Sequence, residues 1–112
     1  MTVLDVVAGK VIATVPIGEG VDANAFDPET GFVFSSNGDG TLTVVRESSS
    51  GKFETETVPT QRGARTMALD FKTHKVYLPT AEFAPAPVSP EGAPKPRPTM
   101  IKNSFAVLVV GK

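Results

Sequence analysis

The sequence predicts an all-β chain assembled from a repeated antiparallel unit, on three observations. Thr14–Ser36, TVPIGEGVDANAFDPETGFVFSS, recurs without a gap as Thr57–Pro79, TVPTQRGARTMALDFKTHKVYLP, 43 residues on, with 8 of 23 positions identical. Ordinary composition would give roughly one or two. Period-2 alternation and β-branched residues run through the chain, whereas no window of 11 or more residues carries a helical stripe between caps. Gly, Pro, Asn and Asp punctuate the apolar runs at short intervals. A period of about 40 to 45 residues with several short strands per unit is that of β-propeller blades. The predicted fold is therefore a partial β-propeller built from four-stranded antiparallel blades with a 43-residue repeat.

Strands are expected at Thr2–Ala8, Lys10–Pro16, Ala23–Asp27, Phe32–Ser36, Thr41–Arg46, Phe53–Val58, Thr66–Asp70, Lys75–Pro79 and Ser104–Val110. Lettering the blade strands a to d from inside to outside, the order is c-d, a-b-c-d, a-b-c. TVLDVVA, TLTVVR and FAVLVV take the same third-strand role, and Gly-Lys follows each of them as Gly9-Lys10, Gly51-Lys52 and Gly111-Lys112. Residues 1–18 are then the last strands of an incomplete blade, 19–60 a whole blade, and 61–112 a blade lacking its outer strand. Asp27-Pro28-Glu29-Thr30-Gly31 supplies a turn-initiating Asp, a Pro with φ already set and a Gly able to take positive φ, which suits the a–b connection. Asp70-Phe71-Lys72-Thr73-His74 is its counterpart. Asn37-Gly38-Asp39-Gly40 is the strongest hairpin signal and joins b to c. The same connection in the next blade is swollen into Ala84–Thr99, with six prolines in 16 residues, a composition that cannot pair in a sheet and should be extended and exposed.

At 112 residues the chain is long enough for one domain with a core but holds only two to three blades, where a closed propeller needs about four to eight. Self-association, or the remaining blades of a longer protein, is expected to complete the ring. Eleven basic and 12 acidic residues give a formal net charge of −1, so no global attraction for polyanions arises. Without cysteine there are neither disulfides nor thiolate metal sites. No run reaches the roughly 18 apolar residues of a membrane-spanning helix, and the opening MTVLDVVAGK lacks the pattern of a signal peptide.

The turn Asp27–Gly31, the strand–hairpin–strand run Phe32–Val45 and the segment Gly63-Ala64-Arg65-Thr66-Met67-Ala68-Leu69-Asp70 together resemble the YVTN-type, YncE-like β-propeller family of bacterial proteins over essentially the whole chain. The proline-rich insert followed by SFAVLVVGK resembles the C-terminal end of such proteins. The resemblance implies a binding module, associated in that family with DNA binding or surface-layer association, and a periplasmic or extracytoplasmic location.

Candidate chemistry is sparse. His74 is the only histidine, which leaves no dyad and no histidine-rich metal site, and in the a–b turn it is expected to be solvated. Asn37–Gly40 has metal-type oxygens at spacing two but lacks the rest of a calcium loop, so it reads as a hairpin. Gly18-Glu19-Gly20 lacks the glycines and Lys of a phosphate loop and reads as a blade-to-blade connection. In a propeller the d–a and b–c loops share one face, and residues at the start of strand a ring the funnel mouth. Those residues are Glu19 and Asp22 in one blade and, 43 positions on, Arg62 and Arg65 in the next. They are the candidate binding residues: a charge reversal on one rim makes either a shaped polar surface or exposed ion pairs worth about 0 to 1 kcal/mol. The proline-rich insert leaves from the same face and could cover the funnel or, through Pro94-Lys95-Pro96-Arg97-Pro98, occupy an SH3-like groove. The functional expectation is a non-catalytic binding or scaffold module with its site at the funnel face, no catalytic residue, no cofactor and no metal. The alternatives are a propeller hydrolase, lactonase or cofactor-dependent dehydrogenase fragment, and a DNA-binding propeller using Arg62, Arg65, Lys95 and Arg97, which the charge balance disfavours.

Overall fold

Every strand of the computed structural model, which describes residues 1–84, 92 and 99–111, belongs to an antiparallel sheet. The strands are β1 (Thr2–Asp5), β2 (Lys10–Thr14), β3 (Val21–Phe26), β4 (Val33–Asn37), β5 (Thr41–Ser49), β6 (Lys52–Pro59), β7 (Ala68–Asp70), β8 (Lys75–Thr80) and β9 (Ala106–Val110). They form three sheets in chain order, β1-β2, β3-β4-β5-β6 and β7-β8-β9. No helix occurs among the described residues, so the all-β expectation holds, and none of the three sheets closes on itself.

Local chemistry sets the strand ends. β1 stops at Asp5 because its Oδ1 accepts from the N–H groups of Val7 and Ala8, and Gly9 then accepts positive φ, so the expected continuation to Ala8 is a turn instead. The Asp27 turn closes with the Gly31 N–H donating to the Asp27 carbonyl at 2.8 Å, and the Asp70 turn closes in the same way through His74, also at 2.8 Å. Three residues, Gly38 to Gly40, connect β4 to β5, as the Asn-Gly signal predicts. β5 and β6 run further than expected, to Ser49 and from Lys52, with Arg46 paired to Glu54 across the strands at 2.9 Å.

The middle sheet has two unlike faces. Cross-strand pairs Phe34↔Val44 and Ser36↔Leu42 put Phe34, Leu42 and Val44 on one side, where they join Val58 from β6. Against them lie Val76, Leu78, Leu108 and Val110 of the third sheet with Ala64 from the preceding loop, and this is the apolar core of the molecule. Leu42, Ala64, Val76 and Leu78 are wholly buried in it. The other side carries Ser35, Asn37, Thr43 and Val45, all buried, and the chain arriving from β2 reaches it at Gly18, whose N–H donates to Thr43. One face is therefore apolar and the opposite one is largely polar.

Phe83 bridges Met100, and the Ala84 N–H donates to the Thr99 carbonyl at 2.8 Å, which closes the base of the insert between β8 and β9. The expectations for the arm itself, including Pro94-Lys95-Pro96-Arg97-Pro98, lie outside the described residues.

Candidate binding site at the loop face

Asn37, the last residue of β4, organises the end of the middle sheet. Its amide Nδ2 donates to the hydroxyls of Thr41 and Thr43, at 3.0 Å each, and its Oδ1 accepts from the Ser35 hydroxyl at 3.1 Å. The Thr43 hydroxyl in turn accepts from the Gly18 N–H at 3.2 Å. These residues sit at odd positions of two paired strands, so the pleat aims them all to one side, and the buried groups satisfy one another. Gly18 is tied to this arrangement by space: a Cβ there would collide with Thr41 Oγ1, Asn37 Nδ2 and Asp39 Oδ2.

Asp39 extends the network to the surface. Its carboxylate accepts from the Thr41 hydroxyl at 2.6 Å and from the Glu19 N–H at 2.8 Å, and these two bonds, the hydroxyl first, hold it below the usual carboxylate value. Backbone bonds then stitch three loops together. The Gly38 N–H donates to the Gly20 carbonyl and the Asp39 N–H to the Glu19 carbonyl, while the Gly63 and Thr60 N–H groups donate to the carbonyls of Gly38 and Gly40. The loops at 18–20, 38–40 and 60–63 thus form one surface on a hydrogen-bonded base.

That surface holds an open pocket of about 380 Å³ lined by Glu19, Gly20, Gly38, Asp39 and Arg62. Of the four residues singled out by sequence, Glu19 and Arg62 line it, from the β2–β3 and β6–β7 loops. Asp22 and Arg65 lie at the seam beside it: Asp22 Oδ2 accepts from the Thr66 hydroxyl at 3.4 Å, and the Arg65 carbonyl accepts from the Ser36 hydroxyl. None of the four forms an ion pair with another described residue, so the reading of the rim as exposed inter-blade ion pairs does not hold. All four residues are exposed. The base of the proline-rich insert opens on this face too, where Gln61 Nε2 donates to the Ala81 carbonyl at 3.1 Å.

Sequence reasoning assigned Asp39 to the turn alone and missed the buried Asn37 network altogether. A signal for it exists: Ser35, Asn37, Thr41 and Thr43 form a polar stripe at one parity across a hairpin. The expectation for His74 also needs correction. It does sit in the turn, at φ 60°, but its ring is held rather than solvated, with Nδ1 2.5 Å from Asp27 Oδ2 and Nε2 3.1 Å from Glu29 Oε2. Asp27 is fully buried. The pair therefore joins the Asp27 and Asp70 turns, at the end of the sheets opposite the loop face.

A second pocket, of about 270 Å³, is lined by Phe32, just before β4, and by Val44, Arg46, Glu54, Thr55 and Glu56 on β5 and β6. Among the described residues no three acidic, histidine or cysteine side chains converge as metal ligands. The chain matches no protein-family model, no curated protein and no solved structure in the comparisons made.

Proposed function

We propose that this chain is a run of β-propeller blades, c-d, a-b-c-d and a-b-c, and that it acts as a binding or scaffold module with its ligand site at the loop face. Register supports the blade reading. The pairs Ala25↔Phe34 and Phe26↔Val33 in the middle sheet have counterparts 43 residues on in Ala68↔Tyr77 and Leu69↔Val76. The observation that carries the binding reading is the pocket itself: Glu19, Asp39 and Arg62 line it together, with no ion pair between them, beside the buried hydrogen bonds of Asn37. Opposite charges held on hydrogen-bonded loops suit a small polar ligand with both an anionic and a cationic end.

The test is a titration of the ¹⁵N-labelled protein with the zwitterion glycylglycine, followed by amide chemical shifts. Shifts that saturate at millimolar ligand, confined to residues 18–20, 38–40 and 61–65 and abolished by Arg62→Gln, are the expected result. Uniform or absent shifts overturn the pocket as a site for this ligand class.

A further inference from the structure

The two ends of the molecule expose the two halves of a junction that the chain already makes once inside itself. In the middle sheet, Phe34 is paired with Ala25 and buried against the third sheet. Tyr77, paired with Ala68 in the same way, points to the far face of the third sheet and is half-buried there. Its cross-strand neighbour Val109 is 54% exposed, and Val107, opposite Pro79, is 48% exposed. At the other end the β1–β2 hairpin turns Val3 and Ala13 inward and leaves the pair Leu4↔Val11 outward, 59% and 58% exposed. β1 takes the third-strand place of β5, whose Val45 is buried. Isolated apolar side chains on a surface need no explanation, but an exposed apolar sheet face at one end and an exposed apolar cross-strand pair at the other do.

We infer that a second copy of this chain covers each end, the Tyr77–Val107–Val109 face of one molecule receiving the Leu4–Val11 face of the next, head to tail. The inference rests on the blade reading, because that reading makes β1–β2 the missing neighbour of the third sheet just as the third sheet is the neighbour of the middle one. The internal junction shows what such a contact contains: an apolar face of one sheet laid on an apolar face of another, as Phe34, Leu42 and Val44 lie on Val76, Leu78 and Leu108. On the third sheet Tyr77, Val107 and Val109 stand where Phe34, Leu42 and Val44 stand in the middle one, and on the hairpin Leu4 supplies the third-strand apolar position alone. Contacts between two different surfaces propagate, giving a ring where the rotation closes and an open filament where it does not. A symmetric contact would instead stop at two copies.

Light scattering on the purified chain should give a mass above the 11.8 kDa of one copy. Leu4→Glu and Val109→Glu each put a charge into one half of the contact and should each give a monomer. Mixed together, the two variants should form a heterodimer and nothing larger, since each supplies the half that the other has lost. Val107→Glu serves in place of Val109→Glu should the latter lose its β-sheet circular dichroism. A folded wild-type monomer at micromolar concentration overturns the inference, and so does a wild-type dimer whose two variants fail to complement. Neither outcome touches the blade reading, which fails instead if amide-to-amide contacts contradict the Ala68↔Tyr77 register.

Discussion

Asp27 is a buried carboxylate whose charge is answered from another sheet. Burial acts to raise its pKa, but hydrogen bonds from His74 and Thr30 and from the Glu29 N–H outweigh that and hold it below the usual carboxylate value. The bond to the Lys72 N–H first, then the Thr73 hydroxyl, does the same for Asp70, and Asp39 is lowered by Thr41 and Glu19. Carboxyls that are more acidic in the folded chain bind protons more readily when it unfolds. The stability they contribute is therefore complete above about pH 4 to 5, the unfolded range, and is lost as pH falls through their lowered values. Urea midpoints should accordingly drop below about pH 4, with a shallower drop in Asp27→Asn. His74→Ala should lower the midpoint already at neutral pH, because it strips a buried carboxylate of its partner. The exposed Glu29 contact adds little, since ion pairs in water are worth about 0 to 1 kcal/mol. At the other end of the sheets, Gly18→Ala forces a Cβ into Thr41 and Asn37 and should cost about 1 to 3 kcal/mol, read from denaturant unfolding.

At the scale of the element, the β4–β5 hairpin links the core to the site. Gly40 takes φ 94°, and a Cβ there would stand 3.1 Å from the Arg62 backbone nitrogen. Gly40→Ala should thus both destabilise the hairpin and displace Arg62, so that shift changes appear at residues 60–63 as well as at 38–41. Asn37→Ala, which orphans the Ser35 hydroxyl and leaves the Thr43 hydroxyl with the Gly18 N–H alone, should cost about 1 to 3 kcal/mol while leaving the apolar face intact. The strands themselves were legible because alternation and turn chemistry agreed, as in Phe32–Val45. They misled where one outvoted the other: Val6 and Val7 look like strand but are almost fully exposed, because Asp5 has already turned the chain. The rim was legible through the repeat, which placed Glu19 and Arg62 at equivalent positions. The clamp was not, because Asp27 and His74 are 47 residues apart and only the stacking of two sheets brings them together.

For the whole molecule, order should follow the layering. β4, β5 and β8 are flanked by strands on both sides within their sheets, and they hold the buried Leu42, Val45, Val76 and Leu78. Amide hydrogen exchange should be slowest there. β1 and β2, a two-stranded sheet with exposed Leu4, Val11 and Ile12, should exchange first, since an isolated hairpin is marginal in water. Leu42→Ala, at the centre of the core, should cost about 2 to 5 kcal/mol by the same unfolding measurement.

The unlike faces of the middle sheet give its two junctions different responses to temperature. The side holding Phe34, Leu42 and Val44 draws its strength from apolar burial, which weakens on cooling and carries a large heat-capacity change. The side holding Ser35, Asn37 and Thr43 is joined to the Gly18 segment by hydrogen bonds and has little such dependence. Cold should therefore loosen the third sheet from the middle one while the first remains attached, and the loop pocket, which spans the Glu19 and Arg62 sides of that seam, would widen in the chilled molecule before any strand is lost.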